Sequence, residues 1–445
     1  MSLKSQLAKT LGKLSYWTLN RFTQGGTSFP GKLAATIDPE ILSHLARDYD
    51  VAIVTGTNGK TLTTSLAVHA LRMKYPEVLT NSSGSNMVQG IISTFLGAKN
   101  KTHSERRLAV LEVDEGSLKH VVKYLKPKVF VHTNLFEDQL DRYGSIEAVL
   151  DLLTSAAVEV PEAMVIANGD CPILQAKDTP NPHKYFGFQL LNSQDLASNE
   201  TKEQTCPKCQ HPLQYKSRTY GELGDYYCQH CFFKRPPLEY AVTSVDQLNL
   251  SGSQFTINEF PLQIPVAGIY NIYNALAAFA LAHYFGVEPQ DIAVGFKKIK
   301  PVFGRQEQIN IADHQVTMNL VKNPVGFNQI VDMLSLEKQE SDLVAIFNTN
   351  YADGTDISWI NEADFESLKE QPFQQVYTGG SQAQALQERF SQAGFAQENI
   401  HPVSDYDQII ELIKASPRRQ IHILASYTAT LEFRKLLIQQ GYLSE

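Results

Sequence analysis

A glycine-rich turn between an apolar run and a helical segment constrains this chain of 445 residues more than any other feature. Val51–Val54 predicts a buried strand, and Thr-Gly-Thr-Asn-Gly-Lys-Thr at 55–61 leads into an apolar-periodic helix. Backbone N–H groups and the positive end of a helix then converge where phosphate oxygens fit. Lys60 adds a mobile charge for the β- and γ-phosphates, and Thr61 adds a hydroxyl for Mg²⁺. The alternative for this loop is a simple tight turn.

Short apolar runs that alternate with helix-length connections predict an α/β fold with buried parallel strands. The first series consists of Val51–Val54, Leu108–Val113, Val129–His132 and Met164–Ala167. The second series begins near residue 309 and consists of Val316–Val321, Leu343–Asn348, Gln375–Thr378, Ile400–Val403 and Ile421–Ala425. Because one hydrophobic core rarely supports so long a chain, we expect a first domain over 1–308 and a smaller Rossmann-like α/β domain over 309–445. Between the two series, Val242–Ile257 alternates like an antiparallel edge, and Gly268–Phe285 predicts a long helix.

Four of the five cysteines form two closely spaced pairs. Cys206 and Cys209 are followed, after eighteen residues, by Cys228 and Cys231. This spacing predicts a structural zinc site with four thiolate ligands and no open coordination position. The segment 198–237 is polar, so metal binding would supply folding energy to this zinc-ribbon insertion. Two disulfides are the alternative, which a reducing compartment disfavours.

The N-terminal segment combines leucines with basic residues. Leu3, Leu7, Leu11 and Leu14 recur at helical spacing, and no acidic residue precedes Asp38. The pattern predicts an amphipathic helix docked on its own domain, with contact to a membrane surface as the alternative. Its apolar stretch is interrupted too often for a secretory signal, so we expect a cytoplasmic protein.

The charge balance narrows the possible partners. There are 39 Lys and Arg against 47 Asp and Glu, a formal net charge of −8, and the basic residues form no block. This balance argues against a general nucleic-acid binder, because such a protein needs clustered Lys and Arg. A run of 18 apolar residues is also missing, which excludes a membrane span.

Acidic residues follow two of the predicted strands. Glu112, Asp114 and Glu115 end the strand that begins at Leu108, while Thr133-Asn134 and then Glu137, Asp138 and Asp141 follow Val129–His132. Ligands bind beyond the carboxyl ends of strands in open parallel sheets, and Mg²⁺ takes one or two carboxylates there. Solvated loop charges are the alternative for these acids.

Six motifs occur in the order seen in the Mur ligases, which the sequence resembles over roughly residues 40–445. They are G-T-N-G-K-T at 56–61, E-V-D-E-G-S at 112–117, T-N-L-F-E-D-Q-L-D-R-Y-G at 133–144, N-G-D at 168–170, G-I-Y-N-I-Y-N-A-L-A-A at 268–278 and F-G-R-Q-E at 303–307. The resemblance implies a central ATP-binding domain, and an acyl phosphate that an amine attacks. It also implies phosphate binding by Gly56, Thr57, Asn58, Gly59 and Lys60, Mg²⁺ binding by Thr61 and Glu115, and nucleotide contacts from Asn271, Asn274 and Arg305.

The departures from the Mur ligase pattern point to one branch of that family. Gln139 stands where a metal-binding His is expected, 320–324 lacks D-Y-A-H-x-P, and the 50 residues before the first strand are too few for a UDP-sugar-binding domain. With the four-Cys insertion and N-Y-A-D-G-T-D-I-S-W-I at 350–360, the chain resembles the MurT family. The resemblance implies a heterodimer with a GatD-like glutaminase. Ammonia from this partner would amidate the D-glutamate α-carboxyl of lipid II, with ATP, at the inner face of the plasma membrane.

The resemblance also implies a catalytic contribution to the partner's glutaminase site. In this family an aspartate of A-D-G-x-D-x-S-W is supplied to the partner's Cys–His pair, which matches Asp356, with Asp353 in reserve. A turn is the alternative for this segment. Two other functions remain open from the sequence, a folyl-polyglutamate synthetase-like ligase and a zinc-ribbon scaffold with a vestigial nucleotide site.

Overall fold

The structure is a computed structural model that describes residues 2–22, 28–81, 85–98, 107–136, 144–190, 204–299, 306–350, 352–354 and 358–443. The chain divides into two compact units. The first consists of Met1–Asp246, Gln254–Ile264 and Ile269–Ile299, and the second of Gln247–Ser253, Pro265–Gly268 and Lys300–Glu445. Within the ranges given above, no helix combines the length and apolarity needed to cross a lipid bilayer.

A nine-stranded sheet in the order β11-β10-β9-β6-β5-β4-β1-β3-β2 organises the larger unit. Across the sheet from its β2 edge to β9, in the spatial order β2-β3-β1-β4-β5-β6-β9, each pair of neighbouring strands is parallel. Its strands are β1 (Tyr49–Thr55), β2 (Val78–Leu79), β3 (Arg107–Glu112), β4 (Val129–His132), β5 (Met164–Asn168), β6 (His183–Phe188), β9 (Tyr240–Asn249), β10 (Gly252–Ile257) and β11 (Phe260–Ile264). The four strands of the first predicted series are therefore β1, β3, β4 and β5, all in the centre of the sheet.

Nine helices accompany this sheet in the part of the chain that is described. They are α1 (Leu3–Phe22), α2 (Phe29–Ile37), α3 (Ile41–Ala46), α4 (Lys60–Leu71), α5 (Val88–Gly97), α6 (Glu115–Leu125), α7 (Ile146–Val158), α8 (Ile269–Tyr284) and α9 (Pro289–Phe296). The predicted Ala-rich helix is α8, which is buried along nearly its whole length and packs against α4. It packs closely because small residues line it.

The N-terminal helix α1 docks on its own unit, against α2, α3 and α5. It does so through small side chains, since Ser5, Ala8 and Gly12 are buried. A Cβ atom on Gly12 would lie 2.8 Å from a methyl group of Leu96 in α5 and 3.1 Å from Cβ of Ala34 in α2, so glycine allows α1 to approach both helices closely. The docked face is thus not the leucine face that the helical spacing defines.

The four-Cys segment forms a small antiparallel hairpin of its own. Its strands are β7 (Gln214–Tyr220) and β8 (Leu223–Tyr227). Its core contains Leu213 and Tyr226 beside the buried Cys206 and Cys228. So small a core matches the expectation that the insertion needs a further source of stability.

The smaller unit has a six-stranded sheet in the order β12-β13-β17-β14-β15-β16, parallel except for the β12–β13 pair. The strands are β12 (Glu307–Ile311), β13 (His314–Leu320), β14 (Ser341–Ile346), β15 (Phe373–Gly379), β16 (Ile400–Pro402) and β17 (Gln420–Ala425). Apolar clusters cover both faces. The helices are α10 (Pro324–Leu334), α11 (Phe365–Lys369), α12 (Ala383–Gln392), α13 (Tyr406–Ala415) and α14 (Tyr427–Gln439). All five strands of the second predicted series are present.

Candidate active site

The glycine-rich loop joins β1 to α4, and two of its glycines have no acceptable substitute. Gly56 has φ of 128° and Gly59 has φ of 83°, a conformation that L side chains rarely adopt. A Cβ atom on Gly59 would lie 1.9 Å from Oδ1 of Asn274 in α8. The first turn of α4 leaves its N–H groups without intrahelical acceptors, so they are available to an anion at the loop.

Thr133 and Asn134, which follow β4, hold the loop in shape. The backbone N–H groups of Thr57 and Asn58 donate to the carbonyl oxygen and to Oδ1 of Asn134, at 3.0 and 2.9 Å. The Thr133 hydroxyl donates to the carbonyl oxygen of Asn58 at 2.8 Å. Two of the loop amides that the resemblance assigns to phosphate therefore donate within the chain. These hydrogen bonds fix the loop conformation without a ligand.

Lys60 and Glu115 form a buried ion pair across the loop. The Lys60 ammonium lies 2.8 Å from Oε1 of Glu115, and its side chain is 12% exposed against 7% for the carboxylate. Burial alone lowers the pKa of an ammonium, but the carboxylates of Glu115, Glu112 and Asp114 raise the pKa of Lys60 above its ordinary value. Lys60 therefore carries its charge at neutral pH.

The residues predicted to bind Mg²⁺ have a suitable donor chemistry. Glu115 is the first residue of α6, directly after β3, and Thr61 is the second residue of α4. Carboxylate and hydroxyl oxygens are the hard ligands that Mg²⁺ prefers. The ammonium of Lys60 at Glu115 Oε1 shows that this position accommodates a cation. The donor set and the charge thus fit a magnesium ion bound together with phosphate oxygens.

The two asparagines predicted to contact the nucleotide lie next to the loop on α8. Asn271 and Asn274 are both buried, and Nδ2 of Asn274 donates to Oδ1 of Asn271 at 3.2 Å. The Thr63 hydroxyl in α4 donates to Oδ1 of Asn274 at 3.4 Å. The predicted nucleotide-contacting Arg305 lies outside the described residues, as do Gln139 and the acids Glu137, Asp138 and Asp141.

A buried carboxylate that the spacing of the motifs does not reveal lies at the end of β5. Asp170 is completely buried and accepts from the backbone N–H of Phe188, the Tyr273 hydroxyl and Nη1 of Arg235, at 2.7, 2.7 and 2.9 Å. Burial raises the pKa of Asp170, although these three donors oppose the shift. Arg235 follows the last cysteine by four residues, so this pair ties the four-Cys segment to the sheet. The N-G-D motif was the only sequence signal.

The four paired cysteines converge in the structure. Sγ of Cys206 lies 3.6 Å from Sγ of Cys231, and Sγ of Cys209 lies 3.6 Å from Sγ of Cys228. All four sulfur atoms lie within 4.8 Å of one another. A disulfide needs sulfurs about 2.05 Å apart, whereas four sulfurs bound about 2.3 Å from one tetrahedral ion lie about 3.8 Å apart. The geometry therefore fits a four-thiolate metal site, and all five cysteines carry free thiols.

The fifth cysteine, Cys171, and the reserve aspartate Asp353 are engaged in structural contacts. Cys171 is buried, which raises the pKa of its thiol to about 12, so it is unsuited to act as a nucleophile. The Asp353 carboxylate accepts from the backbone N–H and the hydroxyl of Thr428 at 2.7 and 2.6 Å, in the first turn of α14. It also accepts from the backbone N–H of Asn350 at 3.1 Å. Asp356 lies outside the described residues.

Comparisons with known proteins agree with the motifs. Residues 54–222 match the Mur ligase middle domain, and residues 320–430 match the MurT ligase C-terminal domain. The chain is 43% identical over 438 residues to the lipid II isoglutaminyl synthase (glutamine-hydrolyzing) subunit MurT of Streptococcus pneumoniae, over 98% of each chain. It is 32% identical over 385 residues to the subunit of the same name from Staphylococcus aureus (strain COL), over 86% of each chain.

A solved structure shares the fold at lower identity. The pseudomurein peptide ligase type C from Methanothermus fervidus superposes with a TM-score of 0.67 at 21% identity, covering 90% of this chain and 81% of that chain. Together with the matched middle domain, this likeness confirms the predicted Mur ligase-like α/β fold.

Proposed function

Because the chain belongs to the MurT family within the Mur ligases, we propose that it amidates the α-carboxyl of D-glutamate in the lipid II stem peptide to D-isoglutamine, using ATP. The observation that carries this proposal is the buried pair of Lys60 and Glu115 at the glycine-rich loop. It supplies a phosphate-binding cation and a metal-binding carboxylate at the carboxyl ends of adjacent strands, where ligands of such sheets bind.

The proposed reaction has two steps. A carboxylate oxygen of the substrate attacks the γ-phosphorus of ATP, ADP leaves, and an acyl phosphate forms. Ammonia then attacks the acyl carbon, inorganic phosphate leaves, and the nitrogen loses a proton to give the amide. In phosphoryl transfer the protein acts mainly by positioning groups and by stabilising charge.

In this proposal, residues of the chain would make these two contributions. The ammonium of Lys60 and the N–H groups that begin α4 would stabilise the β- and γ-phosphates, while Asn134 keeps the loop in place. Thr61 and Glu115 would hold Mg²⁺, which when bound neutralises phosphate charge. Asn271 and Asn274 would orient the nucleotide from α8, together with Arg305. A single zinc ion on the four cysteines has a structural role in this proposal.

The nitrogen source is a glutaminase partner in this proposal. A glutaminase needs a Cys nucleophile and a His base, often oriented by an acid, and the buried Cys171 of this chain does not suit the first role. Asp356 would supply the acid to the Cys–His pair of a GatD-like partner. The choice of Asp356 over Asp353 is supported by the contacts of Asp353. The Asp353 carboxylate accepts hydrogen bonds from Thr428 in the first turn of α14, so it is already used within this chain. Because the substrate in this proposal is linked to a lipid, the complex would act at the inner face of the plasma membrane.

Two alternatives are less well supported. A folyl-polyglutamate synthetase-like ligase would not need the four-Cys insertion, and 43% identity over 98% of the chain is to a MurT subunit. A scaffold with a vestigial nucleotide site would not require the Lys60–Glu115 pair to be preserved with its charges buried, because buried ion pairs seldom add net stability.

The phosphate assignment is tested by substituting Lys60. We expect Lys60→Met to abolish ATP-dependent amidation with both glutamine and ammonia, because the phosphate charge loses its buried cation. Lys128→Met is the matched control, since Lys128 forms an exposed ion pair with Asp50 at the far side of β1. Amidation of lipid II is measured by mass spectrometry of the stem peptide. Full activity of Lys60→Met would refute the assignment.

The interface role of Asp356 is tested with two nitrogen sources. Asp356→Asn should depress glutamine-driven amidation while sparing amidation driven by added ammonium. Asp353→Ala is the comparison, because loss of the α14 cap lowers the stability of the smaller unit by about 1–2 kcal/mol and should affect both nitrogen sources alike. Equal losses with glutamine and ammonium in Asp356→Asn would contradict the interface role.

A further inference from the structure

Helix α1 is inverted relative to an ordinary surface helix. Its small residues face the protein, while Leu3, Leu7, Leu14 and Trp17 are 87, 54, 58 and 58% exposed, and Leu11 is also exposed. These side chains follow one another at spacings of three and four, so they form one continuous stripe along a helix of 20 residues. We call Leu3, Leu7, Leu11, Leu14 and Trp17 the leucine stripe. A contiguous apolar patch of this kind marks a contact surface.

Within α1, the charges beside the leucine stripe are all positive. At about 100° per residue, Lys4 lies on one flank of the stripe and Lys9 and Lys13 lie on the other. Burial, followed by the positive charges of Lys9 and Arg107, lowers the pKa of Lys13, so basic groups crowd together here. The helix contains no acidic residue, although the whole chain carries a formal net charge of −8. The occupant of this face is therefore expected to be both apolar and anionic.

We propose that the leucine stripe inserts into the surface of an anionic lipid bilayer, with α1 lying parallel to the membrane plane. An α-helix of 20 residues is about 30 Å long, and its apolar face would bury at the boundary between headgroups and acyl chains. The lysines on both flanks and Arg21 at its end reach the anionic headgroups. Trp17 lies under Arg21, at 5.7 Å from the ring centroid to the guanidinium carbon, a pairing suited to the membrane interface.

The direction in which α1 is docked supports a surface role. A membrane-binding helix needs its apolar face outward. In α1 the inward face carries Ser5, Ala8 and Gly12 and contacts α2 and α5, which leaves the leucine stripe outward. Phe29 and Met87, where α2 and α5 begin, are also at least half exposed. Binding through α1 would bring the ligase to the surface that holds a lipid-linked substrate, a consequence that rests on the proposed function.

Vesicle binding by the full chain tests the inference without substrate or ATP. The probes are vesicles of phosphatidylcholine alone and of phosphatidylcholine mixed with phosphatidylglycerol. We expect binding to the mixed vesicles only, weakened by salt. Leu7→Ser/Leu11→Ser should lower the partition coefficient about tenfold per leucine, and Lys4→Gln/Lys9→Gln roughly fivefold per charge. Val294→Ser/Leu431→Ser is the matched control, because it removes two exposed apolar side chains from other helices and should bind as the parent does.

Trp17 gives a second, local measurement. The chain has two tryptophans, so Trp359→Phe leaves Trp17 as the only one. Its emission should shift to the blue and resist quenching by iodide when mixed vesicles are added. Equal binding by the leucine and control variants, or no change at Trp17, would overturn the proposal. A dimer that Leu7→Ser/Leu11→Ser dissociates in the absence of vesicle binding would overturn it too. Amidation of detergent-solubilised lipid II is measured separately, so failure of either proposal leaves the other distinguishable.

Discussion

Replacing Arg235 by methionine should lower the free energy of unfolding, because it leaves the buried carboxylate of Asp170 without its ion-pair partner. The Asp170 side chain is completely buried and that of Arg235 is 10% exposed, so water cannot replace the lost guanidinium. Breaking a buried ion pair from one side costs about 3–5 kcal/mol. The Tyr273 hydroxyl and the backbone N–H of Phe188 still donate to Asp170, which places the expected loss near 3 kcal/mol. For a unit of this size that loss lowers Tm by about 6–10 °C.

The double variant Asp170→Asn/Arg235→Met separates the Asp170 charge from the contacts of Arg235 to Asp225 and to the carbonyl oxygen of Phe188, because those contacts are lost in both variants. It removes both members of the pair, so we expect it to regain about 2 kcal/mol relative to Arg235→Met alone. Lys184→Met is the surface control, because Lys184 pairs with the exposed Glu239 at 3.7 Å and should cost below about 1 kcal/mol. Stability is measured by thermal and urea unfolding, followed by circular dichroism. Unchanged stability of Arg235→Met would show that the unpaired Asp170 carboxylate carries no such cost.

The same pair predicts a pH dependence of known sign. Burial raises the pKa of Asp170 in the folded state, and loss of the Arg235 charge should raise it further. A carboxyl with a raised pKa binds its proton more tightly in the folded state than in the unfolded state. Its charged form therefore destabilises the fold. This destabilisation is complete above the folded-state pKa and disappears below the ordinary carboxyl pKa. The deficit of Arg235→Met should therefore be larger at about pH 8 than at about pH 5. A deficit that grows on acidification would contradict the assignment.

Two other predictions concern the metal and the loop. Protein purified under reducing conditions should carry one zinc ion per chain by elemental analysis, and Cys228→Ser should lose that ion and melt the four-Cys hairpin first; protein without zinc would refute the site. Gly59→Ala should reduce ATP affinity, measured by calorimetry, at least about tenfold, because its methyl group would collide with Asn274. Gly394→Ala is the control, since Gly394 has φ of 91° but open space around it, and the loop assignment fails if both variants bind ATP alike.

Apolar runs predicted the central strands because a buried strand must be apolar on both faces. The runs at Val51, Leu108, Val129 and Met164 became neighbours in one sheet. Strand β2 has two residues, too few for any pattern to register, and His183–Phe188 is polar in its first half, so neither was predicted. The local sequence predicts strands that are buried on both faces. It misses strands that are short or partly polar and form by pairing with adjacent strands.

Helix α1 shows a different limit of sequence patterns. The spacing of Leu3, Leu7, Leu11 and Leu14 correctly grouped them on one face. Periodicity says which side chains share a face, but packing decides which face is covered, and here Ala8 and Gly12 allowed a closer approach than leucines could. The inversion was therefore visible only in three dimensions.

The candidate site also contains some residues that the sequence predicts and others that only the fold brings together. The loop and Glu115 were predictable because a short motif fixes the local backbone and the sheet brings neighbouring strand ends together. Asp170, Arg235 and Tyr273 lie up to 103 positions apart in sequence, so no spacing rule connects them. The Asp353 cap on Thr428 is likewise a contact between distant segments. Long-range polar contacts of this kind depend on the completed fold.

The pairing of Lys60 with Glu115 has a consequence for ligand discrimination. Because Glu115, Glu112 and Asp114 surround the charge of Lys60, the loop offers little net attraction to orthophosphate or to other polyanions. A phosphate group without a metal ion would take the Lys60 ammonium from Glu115. The buried Glu115 carboxylate would then be unpaired, which is unfavourable. A triphosphate that arrives already chelated to a divalent cation would satisfy both groups at once. If the proposed function holds, the resting salt bridge would favour the metal–nucleotide complex over either component alone.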